Sequence, residues 1–191
     1  MHVPAIVGGV LEGWVVGGIV GTIFGLFSFI QAEVPMFKDP LVAILPRIFI
    51  GIAAYLGYRG LRRLTGPWML IFAAMLLGLA GYFAYEVSQT SLWIAILVAV
   101  LSLAAVGVLV YLIIKGETDV AALAVAAALG TLTNTGLVLS MGVLRGYMAP
   151  NVAWVVAVTH GIPEIIVAAI ITVAVVVTWK RVETGRGEAK M

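Results

Sequence analysis

Six apolar stretches, each long enough to cross a bilayer, follow one another along the chain with short polar breaks between them. A membrane-spanning helix needs about 20 predominantly apolar residues. The stretches run over residues 4–30, 41–58, 68–87, 92–114, 120–144 and 152–179. The breaks leave no room for a soluble domain. The chain therefore reads as one transmembrane domain, residues 1–180, with a polar tail at 181–191. Within hydrocarbon every backbone N–H and C=O must find a partner inside the protein, so only helices and closed barrels cross it. The period-2 alternation of barrel strands is missing from these stretches. The sequence predicts an all-α, polytopic membrane helical bundle of six transmembrane helices.

Composition agrees. Of the 191 residues, 63% are apolar and 10% charged, against roughly 45–50% and 25% in a soluble domain. Too little polar surface exists to coat a water-facing globule, which excludes a soluble enzyme, a nucleic-acid binder and a disordered chain. There is no cysteine and there are only two histidines. Disulfides, thiolate metal sites and thiol nucleophiles are excluded, and neither a metal nor a cofactor is implied. No nucleotide-binding G-x-x-x-x-G-K-[ST] loop occurs, so ATP-driven uptake would need a separate ATPase.

Lys and Arg set the orientation of membrane helices. With six spans, Arg59, Arg62, Arg63, Lys115, Lys180, Arg181, Arg186 and Lys190 share one side, against Lys38 and Arg145 on the other. The bias places both termini in the cytoplasm. The apolar run at the start is too long for a cleavable signal, and no basic segment precedes it.

A few polar groups lie inside the apolar mass. A charge near mid-bilayer costs roughly 2.5–3.5 kcal/mol on insertion scales, so it has a partner or a cavity. Glu12, Arg47, Glu86, His160 and Glu164 are in this position. Pro46 removes a backbone donor and frees the carbonyl four residues earlier. Beside it, Arg47 reads either as a bidentate partner for a ligand carboxylate or as half of a salt bridge to Glu164 or Asp39. Thr131, Asn134 and Thr135 share a helix face and suit hydrogen bonding to a polar ligand or to a neighbouring helix. His160 and Glu164 share a face if the helix survives Pro163. They form at most an acid/base pair of an intramembrane enzyme, without nucleophile or metal. A Gly161-Ile162-Pro163 break would free backbone groups toward a cavity. Loop 31–40, with Glu33, Phe37 and Asp39, is a candidate lid on the external side, together with Tyr147.

Gly9, Gly13, Gly17, Gly21 and Gly25 repeat every four residues in the first stretch. They form a bare groove that lets another helix approach closely. Gly9, Gly13, Gly17 and Gly21 are candidate docking residues for a partner subunit, or packing residues within the bundle.

Several of these segments resemble one family. Pro40-Leu41-Val42, Leu45-Pro46-Arg47-Ile48 with Gly51, Gly130-Thr131-Leu132-Thr133-Asn134-Thr135 and Gly161-Ile162-Pro163-Glu164 resemble substrate-binding S components of energy-coupling factor (ECF) transporters. The opening His2-Val3-Pro4-Ala5, followed by Gly13-Trp14 and Gly25-Leu26-Phe27-Ser28, is similar to the second helix of that family. The resemblance implies a six-helix vitamin-binding subunit in a prokaryotic plasma membrane. It would take its ligand near the external face and work with a membrane coupling subunit and two ATPase subunits. It also implies a helix ahead of His2-Val3-Pro4-Ala5, while residues 68–114 match none of the family's motifs. On this reading Arg47, Thr131, Asn134, Thr135, His160 and Glu164 line or support the ligand site. Arg47 favours an anionic ligand such as pantothenate. The alternatives are the His160/Glu164 enzyme and a purely structural membrane bundle.

Overall fold

The computed structural model describes residues 2–64, 66–89 and 91–188. Eight α-helices and one 3-10 turn make up the described residues, with no strand among them. The helices are α1 (Val3–Glu12), α2 (Trp14–Ile30), α3 (Pro40–Ala43), α4 (Leu45–Leu61), α5 (Gly66–Ser88), α6 (Leu92–Ile114), α7 (Thr118–Leu144) and α8 (Pro150–Glu188). The 3-10 turn spans Pro35–Lys38. Five helical segments are long and apolar enough to cross a membrane: Pro40–Leu61, Pro67–Ser88, Leu92–Ile114, Thr118–Leu144 and Pro150–Val182. The protein is a multi-pass membrane protein.

The first apolar stretch departs from expectation. It is two short helices rather than one span over 4–30. Gly13 sits at φ 99° and ψ 174°, a conformation that a Cβ would strain. Its N–H still closes the last turn of α1 on Gly9, and its carbonyl opens α2 by accepting from Gly17. At Gly13 the chain doubles back, so that a Cβ on Gly17 would fall 2.7 Å from the Cα of Gly9. In consequence His2, which precedes α1, is buried in the bundle at 6% exposure.

The glycines of α1 and α2 pack within the chain. Gly9 and Gly17 both face the backbone of Gly51 on α4, and Gly21 faces the carbonyl of Arg47. A Cβ on Gly25 would fall 2.8 Å from the Cα of Ile44. Lipid gives apolar helices no hydrophobic drive to associate, so close backbone approach through small residues has to hold them together. The groove expected to receive a partner through Gly9, Gly17 and Gly21 is therefore filled by α4, and Gly13 is the hinge that brings α1 into it.

Helix α4 is the hub, packed against α1, α2 and α7, while α7 also pairs with α8. Ile6, Ile50, Ala54, Leu123, Ala126, Ala127 and Val176 form the centre of the core. Helices α5 and α6 pair with each other, and most of their apolar side chains face outward.

Pro163 does not break α8, which runs on helically through the expected polar tail as far as Glu188. The expected Gly161-Ile162-Pro163 opening is thus absent. Lys190 lies outside the described residues. Polar contacts gather at the two ends of the bundle. Arg62 pairs with Asp119 at 2.8 Å and Lys180 donates to the Tyr58 hydroxyl at 2.7 Å at one end. Asp39 meets Arg145 at 2.6 Å at the other.

Candidate functional site

The site begins at a defect in the helix ladder. Pro46 has no N–H, so the carbonyl of Val42 lacks its ordinary helical donor. The Arg47 Nη1 donates to that carbonyl. This fixes the guanidinium inside the bundle, where Arg47 is only 4% exposed. Its Nε is buried without a hydrogen-bond partner. Neither Glu164 nor Asp39 forms the ion pair weighed from the sequence, and no carboxylate among the described residues pairs with Arg47.

Two phenyl rings flank the cation instead. The Arg47 guanidinium carbon lies 4.9 Å from the centre of the Phe37 ring and 5.7 Å from that of Phe24. Such contacts contribute roughly 0.5–2 kcal/mol, more when desolvated, and leave in-plane N–H groups available. The same two rings line a cavity of about 260 Å³. Phe27, Ser28, Gln31, Ala32, Glu33 and Val34 complete its wall. The cavity thus opens between the end of α2 and the loop that leads to α3.

On α7, Thr131 is fully buried and donates its hydroxyl proton to the Ala127 carbonyl at 2.9 Å. His2 Nε2 stands 2.9 Å from the same oxygen. The Thr131 hydroxyl thus joins His2 to α7 across the bundle. Asn134 is half-buried, and its Oδ1 is enclosed without a partner. Gly130 lies against the Ile50 carbonyl of the antiparallel α4. Thr135 turns toward α8, where a Cβ on Gly161 would lie 3.8 Å from its methyl group.

His160 and Glu164 are not brought to this site. Both are exposed on α8, and the His160 Nδ1 is engaged locally with the Thr159 hydroxyl at 3.0 Å.

Sequence reasoning missed three participants. His2 is separated from Thr131 by 129 positions. Phe24 carried no reading of its own, whereas Phe37 already figured in the candidate lid. Arg145 stands 106 positions from Asp39. The signal for Phe24 was present, since it falls between Gly21 and Gly25 on the side of α2 that meets α4.

The loop between α2 and α3 is tied down at its far end. Asp39 caps α3 by accepting from the Leu41 N–H at 3.0 Å. It also accepts from Arg145 Nε at 2.6 Å and from the Tyr147 hydroxyl at 3.4 Å. The Arg145 hydrogen bond holds the Asp39 carboxyl below its usual range against the opposing effect of burial, with the Leu41 N–H adding to the shift.

Residues 1–84 match the family described as "ECF transporter, substrate-specific component". These residues hold the glycine-packed helices, the loop and Arg47. Over 186 residues the chain is 25% identical to the "Pantothenic acid transporter PanT" of Lactococcus lactis subsp. cremoris (strain MG1363). That alignment covers 92% of this chain and 74% of the relative. No solved structure matches the chain. The family match and the relative are both to transport proteins rather than to enzymes, and His160 and Glu164 lie exposed on α8.

Proposed function

We propose that this S component captures a small organic carboxylate, pantothenate or a close chemical relative, at the external end of the bundle. The observation that carries this reading is Arg47, a buried guanidinium with no carboxylate partner among the described residues and one N–H unpaired. An intramembrane cation left this way needs a counter-charge. A bound carboxylate supplies one with charge-assisted geometry. The cavity of about 260 Å³, which meets Arg47 only through the shared Phe24 and Phe37 rings, is close to the lower size of small-molecule sites, roughly 300 Å³. Its phenyl-lined wall suits the branched apolar part of such a ligand. Asn134 Oδ1 offers an acceptor to a hydroxyl or amide N–H. The relative named for pantothenic acid agrees with this chemistry.

In this reading α2, α3–α4, α5, α6, α7 and α8 make six crossings, with α1 folded back inside. The basic ends of α4 and α8 face the cytoplasm of a prokaryotic cell. A membrane coupling subunit and two ATPase subunits supply the energy, since the chain has no phosphate-binding loop. The test is a melting curve of the purified protein with a panel of vitamins. Carboxylate-bearing pantothenate raises Tm in proportion to the logarithm of its concentration. A rise with neutral vitamins and none with pantothenate would refute the assignment.

A further inference from the structure

We infer that Asp39 and Arg145 are positioning residues that form a latch, holding the loop over the ligand and setting how long the ligand stays. This rests on the proposed ligand site beside Arg47. The loop leaves α2 at Gln31, lines the cavity through Ala32, Glu33, Val34 and Phe37, and ends at Asp39. Phe37 touches both the cavity and the Arg47 guanidinium. Two residues beyond it, Asp39 is 7% exposed and bound to the turn between α7 and α8.

The opposite anchor is built to meet it. Helix α7 ends in a Schellman turn. Tyr147 N–H bonds to the Gly142 carbonyl and Gly146 N–H to the Val143 carbonyl. Gly146 sits at φ 75°, which glycine adopts without strain. That turn presents Arg145 and Tyr147, on either side of Gly146, to the one carboxylate of Asp39. A second contact runs in parallel. Met36 is buried with Val42 and Val138, beside Met141 and Met148. Its sulfur would lie 2.8 Å from a Cβ on Gly142, so the glycine makes room for it. An ion pair and a methionine plug thus tie the loop to the α7–α8 turn. Opening the cavity requires the pair to separate, while closing re-forms it. Changes at such a contact act mainly on the rate of departure.

The full chain has no cysteine, so Glu33→Cys gives a unique attachment point for a nitroxide spin label on the loop. In Arg145→Gln the label becomes more mobile, and Arg145→Lys stays near the unsubstituted latch. Asp39→Asn keeps an acceptor for Leu41 N–H but also mobilises the label. Combining Asp39→Asn with Arg145→Gln adds little to either alone. In chains without the label, radiolabelled pantothenate leaves Arg145→Gln about tenfold faster, with association unchanged. Unchanged label mobility, or additive effects of the two substitutions, would overturn the latch. A mobilised label with an unchanged departure rate would overturn its role in retention. If the unsubstituted chain binds no pantothenate, the proposed function fails, and label mobility alone decides whether the latch exists.

Discussion

Arg47 donates to the carbonyl of Val42, the acceptor that Pro46 leaves without its helical donor. A local helix defect thereby aims a cation into the bundle. It also leaves the Arg47 Nε unpaired. Arg47→Ala is expected to raise the Kd for pantothenate by roughly 10- to 100-fold, the range for hydrogen bonds to a charged group. The ligand-free protein keeps its Tm or gains a little, because an unpaired buried charge costs stability. Titration calorimetry and melting curves on the same preparations check both halves. A fall in ligand-free Tm with unchanged Kd would make Arg47 structural.

The glycine faces predict a sharp contrast. Gly21 lies against the Arg47 carbonyl with no space for a methyl group, whereas a methyl group on Gly136 would meet nothing within 4 Å. Gly21→Ala should destabilise by about 1–3 kcal/mol through overpacking and push Arg47 out of place. Gly136→Ala should be neutral, or stabilising by up to about 1 kcal/mol through helix propensity. Monodisperse yield and Tm in detergent read the difference.

The polar residues of α7 and α8 separate in the same way. Asn134→Ala is expected to weaken pantothenate binding by roughly 3- to 10-fold, the loss of one ordinary hydrogen bond, at unchanged Tm. His160→Ala and Glu164→Gln, both on the exposed side of α8, should leave Kd within about twofold. A strong loss of binding in Glu164→Gln would return that residue to the site.

The latch also has a defined pH response. The folded-state pKa of Asp39 is lowered, chiefly by the Arg145 hydrogen bond. Its contribution is therefore fully present above the unfolded carboxyl value of about 3.9 and is lost as pH falls through the lower folded value. Mobility of a label at position 33 is expected to stay flat from about pH 5 to 8 and to rise only in stronger acid. A midpoint near pH 6 would show that another group governs the loop.

The helical architecture was legible because bilayer thickness imposes long apolar runs. The freed carbonyl at Val42 was legible from Pro46 alone. The fold-back at Gly13 was not, since a regular glycine spacing reads equally as one helix or as two that pack together. Only the positive φ at Gly13 distinguishes them. The outward placement of His160 and Glu164 was hidden for a related reason. Their four-residue spacing shows that they share a face, but which face α8 turns inward depends on how α7 packs. Contacts such as His2 with Thr131 and Asp39 with Arg145 join distant segments and leave no local pattern.

Pantothenate and pantothenol differ chiefly at one end, a carboxylate in the first and a neutral hydroxyl in the second. Titrating the purified protein with both compounds isolates the role assigned to Arg47. Saturable binding of pantothenate, with pantothenol weaker by roughly 10-fold or more, is the predicted result. Equal binding of the two compounds, or none of pantothenate, would contradict the assignment of Arg47 as the carboxylate partner.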